Sequence, residues 1–447
     1  MKKIQYICLI GLLFISGNIN AKEIKINSLK ELANYASKND NVITMSPGVY
    51  QLTDYLSINA MINRHELKKF QFITFSGNNN VFNLDGVEVI FDNALREELN
   101  PPLHSSEFLV SGSNNTFNGF RIRYKGEGNS RGGAALEVGG KGNVIKNIEL
   151  HVKGSFPYGY GDYLGKGKKS IVKHEKHSGI LITGTNTKLY ACKVFMKSLG
   201  HAFFIQGGDN TYFKDCYAEG EIRTTDDMLT ETSGPAFDNN FASIYKNYDG
   251  ENKIPSNYMK SLNECGFRTY TTGKVTAINC IAKNMRVGFA LAKVSLKNCE
   301  AINCERGYYL NKAVTKNCHG DAKYGPLIYL VGDAPSKIDL TLMPGETNMN
   351  VHAVATICGK GHKISIKNFD KQERKKAIPI MLGYGMPSSG EISAIIPEKR
   401  AENIKIKNKT SLPIVVSEKA KNSIVVTRGA VESNSGTNIK IKKGIER

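Results

Sequence analysis

The chain has 447 residues, 40% of them hydrophobic, with 60 lysines and arginines against 41 acids and a net charge of +19. No apolar run after residue 21 approaches the length of a membrane span, which excludes an inserted helical protein. The basic balance leaves nucleic acid, an anionic membrane surface or an acidic polysaccharide as partners, and no nucleic-acid-binding motif is present.

At the start, Lys2 and Lys3 precede an apolar run from Ile7 to Phe14, and Ile19-Asn20-Ala21 forms a cleavage site before Lys22. This reads as a signal peptide over 1–21, with residues 22–447 forming one exported domain, periplasmic or secreted. Export argues against nucleic acid and for an acidic polysaccharide. The segment SLKELANYA (28–36) places Leu29, Leu32, Ala33 and Ala36 at helical spacing behind Ser28. It predicts a short helix that caps the open end of the domain.

Beyond that helix the chain is repetitive. FSGNNNVF (75–82), VSGSNNTF (110–117), VGGKGNVI (138–145), ITGTNTKL (182–189), IQGGDNTY (205–212) and ICGKGHKI (357–364) share one pattern. An apolar residue, a glycine two places on and Asn-rich polar positions lead to a second apolar residue. Cys280, Cys299 and Cys318 recur at a spacing of 19. Short β segments joined by Gly/Asn turns, one coil per 19–23 residues, predict an all-β, right-handed parallel β-helix. The recurring cysteines are one coil apart, either as stacked thiols or as disulfides. No CxxC pair points to a metal.

Unequal intervals between the aligned glycines locate the loops. With Asp85, Phe120, Ile148, Cys192 and Cys216 taken as one coil position, extra residues begin near Asn93, Gly126, Gly154 and Thr224. All four insertions leave from one corner and are expected to wall a groove. The third carries GKGKKSIVKHEKHSG (165–179), a basic rim that includes Lys168 and Lys173, behind Tyr158, Tyr160 and Tyr163. The same register places His177, His201, Arg268 and Tyr270 on the floor, with Phe289 and Tyr308 at the His201 position in later coils. Arg131 and Arg223 lie in neighbouring insertions.

These residue types suit β-elimination on a uronic acid. Removing the C5 proton needs a cation on the carboxylate, a base, and an acid for the departing oxygen. His201 and Tyr270 are the expected acid–base pair, and a Tyr beside cations is expected to lose its proton more easily. Arg268, His177 and Lys173 are expected at the carboxylate or a sulfate, with Arg223, Tyr160, Lys168 and Arg131 as further substrate contacts. A competing reading uses the acids Glu219, Glu221, Asp226, Asp227 and Glu231 as hydrolytic carboxylates, as Ca²⁺ ligands, or as neutralising partners of the basic loop. A non-catalytic glycan-binding solenoid is the third reading.

Coils with one-sided insertions resemble the right-handed β-helix carbohydrate enzymes: pectate, alginate and chondroitin lyases and polygalacturonase-type hydrolases. The hydrolase branch carries Asn-Thr-Asp, a paired Asp and then Gly-His-Gly. Here SLGHAF (198–203) precedes RTTDDM (223–228) and Asn-Thr-Asp does not occur. The basic loop with His and Tyr is more similar to metal-independent eliminating enzymes of marine polysaccharide-degrading bacteria, including ulvan-processing ones. That resemblance implies a carbon–oxygen lyase needing no cofactor, which either cleaves an anionic glycan or dehydrates its terminal uronate.

Overall fold

The computed structural model describes residues 22–66, 71–96, 106–129, 132–165, 171–243, 251, 254, 256–344, 353–369, 378–386 and 396–444. The expected signal peptide, Lys168 and Arg131 lie outside the described residues. Nearly all regular structure is short parallel strands, each paired with its equivalent one coil later. The chain is a parallel β-helix, with three strand stacks running its length. The first stack includes Ser178–Ile182, Phe203–Ile205 and Cys265–Thr269. The second includes Lys188–Tyr190, Thr211–Lys214 and Val275–Ile278. The third includes Lys193–Lys197, Tyr217–Glu219 and Ile281–Lys283.

The sequence motif is explained by the corners. Between the first and second stacks the chain turns so tightly that a Cβ on Gly140 would sit 2.1 Å from the Gly112 carbonyl oxygen, and its φ is +62°. Only glycine fits there. Three residues on, the asparagines stack. The backbone N–H of Asn41 donates to Asn80 Oδ1 (3.0 Å), that of Asn80 to Asn115 Oδ1 (2.9 Å), and that of Asn115 to Asn143 Oδ1 (2.9 Å). Each buried amide thus satisfies a donor that the turn removes from the strand ladder. Between the second and third stacks Asn279, Asn298 and Asn317 have positive φ, immediately before Cys280, Cys299 and Cys318. This is the αL position that asparagine tolerates.

Side chains inside the coil repeat at the strand separation, about 4.8 Å. Phe203, Phe267, Phe289 and Tyr308 stack with ring centroids 4.9, 4.9 and 5.2 Å apart and nearly parallel planes. Cys192, Cys216, Cys280, Cys299 and Cys318 form a second column, because the residues just after them pair coil to coil. All eight described cysteines are buried and unbonded. The helix α1 (Leu29–Tyr35) forms as its spacing predicts. Ser28 accepts from the Glu31 N–H at its N-terminus, and Leu29 and Leu32 enter the core.

The four expected insertions, 93–107, 126–133, 154–177 and 220–264, join the third stack to the first, leaving after Asp92, Lys125, Lys153 and Glu219, and so do 52–72, 343–354 and 369–379. They share one corner, as the glycine intervals require. Replacing Asn115 by Ala strands the Asn80 N–H and the Gly77 carbonyl that its amide serves. The expected loss is about 1–3 kcal/mol per unpaired group, read as a lower denaturation midpoint. An unchanged midpoint would show that the asparagine column adds nothing to stability.

Candidate active site

The third and fourth insertions have a small core of their own. Tyr160, Tyr163, Leu164, Met228, Ala236, Phe241, Ile254 and Leu262 are buried against one another beside the main coil. Buried charge ties this unit to the solenoid. Asp162 bonds to Arg286 (2.8 Å) and Lys260 (2.5 Å), and Lys260 reaches Glu305 (3.1 Å). Arg286 also meets Glu264 at 3.3 Å, and Lys176 meets Glu264 at 2.9 Å. Burial alone would raise the Glu264 carboxyl. The imidazole, guanidinium and ammonium around it outweigh that and hold it well below the usual carboxylate range.

The network ends at His201 and Tyr270. His201 Nε2 lies 2.7 Å from the Tyr270 hydroxyl and 3.3 Å from Glu264 Oε2, while the Cys265 backbone N–H donates to Nδ1 at 3.3 Å. A backbone amide can only donate, so Nδ1 carries the lone pair and the neutral ring holds its proton on Nε2. Burial, opposed by Glu264 but aided by Arg286, Arg268 and Lys176, pulls His201 down to about 4. The ring is therefore neutral at pH 7 and donates toward Tyr270 and Glu264. Tyr270 keeps its own proton free to point outward. It is 49% exposed, whereas His201 is 5% exposed.

Arg268 lies on the outer face of the first stack, level with Phe204 and Ala290. Its guanidinium sits 4.7 Å from the centre of the Tyr270 ring. Lys176, Arg286, Lys260 and Arg223 all have carboxylate partners. Arg268 has none among the described residues, and its buried Nε has no hydrogen-bond partner. The net effect on Tyr270 opposes the expectation that neighbouring cations ease its ionisation. Burial and the Glu264 charge raise its pKa more than Arg268 lowers it.

The other expected site residues fall elsewhere. His177 is fully buried, with Nε2 3.6 Å from Glu107, Nδ1 3.4 Å from the Gly132 carbonyl and its ring edge-on to Tyr124. The cause is a one-residue offset. Ile180 pairs with Phe203, so Ser178 is level with His201 and His177 takes the opposite side. Likewise Phe289 and Tyr308 align with Phe203, two residues beyond His201. Lys173 is exposed, 3.4 Å from Glu175. Arg223 is bound to Glu231 (2.7 Å) and to the Gly159 and Asp227 carbonyls. Tyr160 is buried, donates to Glu231 at 2.6 Å, and is pushed up to about 12 by burial and that carboxylate.

The acids of 219–231 do not converge. Glu219 pairs with Lys283 (2.8 Å), Glu221 with Lys197 (3.1 Å) and Tyr158 (2.7 Å), and Asp226 accepts from the Asn257 N–H (3.0 Å). Among the described residues no group of three His, Cys, Asp or Glu is arranged to hold a metal ion, so these residues do not fit the Ca²⁺ expectation. Sequence reasoning missed Glu264, Lys176, Arg286 and Asp162. One signal was available: Glu264 immediately precedes the strand Cys265–Thr269, which carries Arg268 and leads into Tyr270.

No protein-family model and no curated protein matches this chain. Among solved structures it is similar to a PL6 alginate lyase in complex with a trisaccharide, at 10% identity and a TM-score of 0.49, over 94% of this chain and 89% of that one. It is also similar to a mutant tailspike protein of E. coli bacteriophage HK620, at 10% identity and a TM-score of 0.46, over 92% and 73%. The A-module of a mannuronan C-5 epimerase of Azotobacter vinelandii gives 8% identity and a TM-score of 0.39, over 94% of both chains. The chemistry of the site therefore rests on this chain's own residues.

The His201 tautomer is directly measurable. Nitrogen-15 NMR is expected to show a ring protonated on Nε2 at pH 7, gaining a second proton only as pH falls toward about 4. Because its folded pKa lies below the ordinary 6.5, the stability that His201 contributes is present above pH 6.5 and lost as pH falls through the folded value. A ring that titrates near 6.5, or carries its proton on Nδ1, would contradict the geometry.

Proposed function

We propose that the protein is an exported carbon–oxygen lyase that acts by β-elimination on a uronic-acid glycan, with ulvan-type oligosaccharides as the leading candidates. One observation carries this reading: a half-exposed Tyr270 phenol receives the His201 N–H and lies beside Arg268, a cation with no carboxylate partner among the described residues. Arg268 takes the substrate carboxylate and stabilises the enolate that forms when C5 loses its proton. Tyr270, as phenolate, accepts that proton. The C5–H electrons become the C4–C5 double bond, the C4–O bond breaks, and the same phenol returns the proton to the departing oxygen.

In this scheme Tyr270 is the catalytic residue in contact with the reacting atoms, and His201 positions it. The His201 N–H and the Arg268 charge are the groups that hold the transient phenolate. Glu264 keeps the imidazole oriented, and Arg286 and Lys176 keep Glu264 ionised. Hydrolysis is less well supported. Two carboxylates that it would use, Asp226 and Glu231, are committed to Asn257, Arg223 and Tyr160. The buried Glu264 faces His201 rather than solvent.

Incubation with uronate oligosaccharides, with ultraviolet absorbance and product masses as readouts, tests this reading. An unsaturated chromophore with shorter products means chain cleavage, and a chromophore with loss of one water and no shortening means dehydration. Shortening without a chromophore overturns elimination. Tyr270→Phe is expected to lower kcat by about 10²–10⁴ without unfolding, since Tyr270 stands at the surface. Arg268→Lys is expected to raise KM, because the planar bidentate grip is lost. Since the free Tyr270 pKa is raised, the rate is expected to climb with pH into the alkaline range. An acidic optimum would instead fit carboxylate chemistry.

A further inference from the structure

The outer face of the second stack is a separate surface from the one that carries Tyr270. Coil-to-coil register aligns Val314, Lys337, Lys363, Lys405, Ile424 and Lys440 there, one residue per coil. Lys316 and Lys407 point from the same face two residues further along their strands. Together these strands form a shallow concavity of about 650 Å³, with Val314, Ile424 and Val426 as its apolar floor. Val314 is 50% exposed.

The charge of this surface is mostly uncompensated. Its one lining acid, Asp339, stands in the row of Ser365 and Lys407 and lies 3.9 Å from Lys367. Lys316, Lys337, Lys363, Lys405 and Lys407 have no carboxylate within ion-pair distance among the described residues. Lys337, Lys363 and Lys405 are direct cross-strand neighbours on strands about 4.8 Å apart, where like charges repel. Such a column raises the energy of the folded chain and attracts an external anion of repeating charge. The apolar floor suits the C–H faces of pyranose rings.

We propose that this face is a binding site for an anionic polysaccharide chain, which lies across the strands along the solenoid axis and meets the ammonium groups of the three successive coils that carry Lys337, Lys363 and Lys405. It holds polymer on a surface distinct from the Tyr270 site, and it does not depend on the chemistry assigned there. A short oligosaccharide seated at Tyr270 does not need it, whereas a long chain engages both.

The test uses the full chain carrying Tyr270→Phe, so that bound polymer stays intact, in affinity electrophoresis through polygalacturonate, with neutral dextran as the control matrix. Adding Lys363→Glu and Lys405→Glu is expected to weaken retention about tenfold or more, two attractions being replaced by repulsions. Lys25→Glu with Lys30→Glu, an equal change in net charge on the exposed N-terminal coil, is expected to leave retention within about twofold. Added salt is expected to erase the difference. In the active protein the Lys363 and Lys405 changes are expected to leave turnover of short oligosaccharides unchanged, which separates this surface from the catalytic reading. Should the reversal variant unfold, Lys363→Gln with Lys405→Gln gives the same comparison. Equal losses in the ladder and control variants, retention by dextran, undiminished binding by the ladder variant, or a dimer that the ladder variant dissociates would each overturn the proposal.

Discussion

The constraint on which everything else depends is the identity of neighbouring coils at their corners. A turn that buries backbone donors must be matched by the next coil, and the stacked asparagine amides of Asn80, Asn115 and Asn143 supply that match. With the other two corners of most coils held in register, most of the length variation falls between the third and first stacks. The buried charged cluster beside His201 and Tyr270 can therefore be drawn from separate coils and insertions, from Asp162 to Arg286, without any one segment having to fold into it alone.

Burying Glu264, Asp162, Glu305, Lys260 and Arg286 together is not an efficient way to stabilise a protein. Desolvating each ion costs several kcal/mol, and the mutual attraction returns little beyond that. What such a network supplies is uniqueness: removing one member leaves its partner charged and unpaired. Here the uniqueness serves orientation. Asp162 comes from the third insertion, Lys260 and Glu264 from the fourth, and Arg286 and Glu305 from later coils. The fourth insertion thereby brings Glu264 to His201 Nε2, the nitrogen that also faces the Tyr270 oxygen.

Much of this was legible in the sequence, for a physical reason. Glycine at Gly140 and asparagine at Asn279 are dictated by backbone geometry, so they mark the coil wherever they fall, and the insertions show up as excess length. Side-chain direction was less legible, because an insertion hides the residue at which the strand resumes. An offset of one turned His177 inward, and an offset of two put Phe203, rather than His201, in the Phe289 column. The partners of Glu264 were beyond sequence reasoning altogether, since Asp162 and Arg286 are 124 residues apart. The sign of the Tyr270 shift also depended on a quantity that no motif carries, the balance of burial and Glu264 against Arg268.

The thiol column has a bearing on how the chain reaches its final form. Cys192, Cys216, Cys280, Cys299 and Cys318 succeed one another at the coil spacing, about 4.8 Å, slightly beyond the roughly 3.8 Å between Cβ atoms that a disulfide prefers. Five is an odd number, so pairwise oxidation would pinch some coils together and still leave one sulfur over. Completed stacking hides all five from solvent. Under oxidising conditions winding of the chain would therefore compete with oxidation, and the faster of the two would decide whether the column stays evenly spaced.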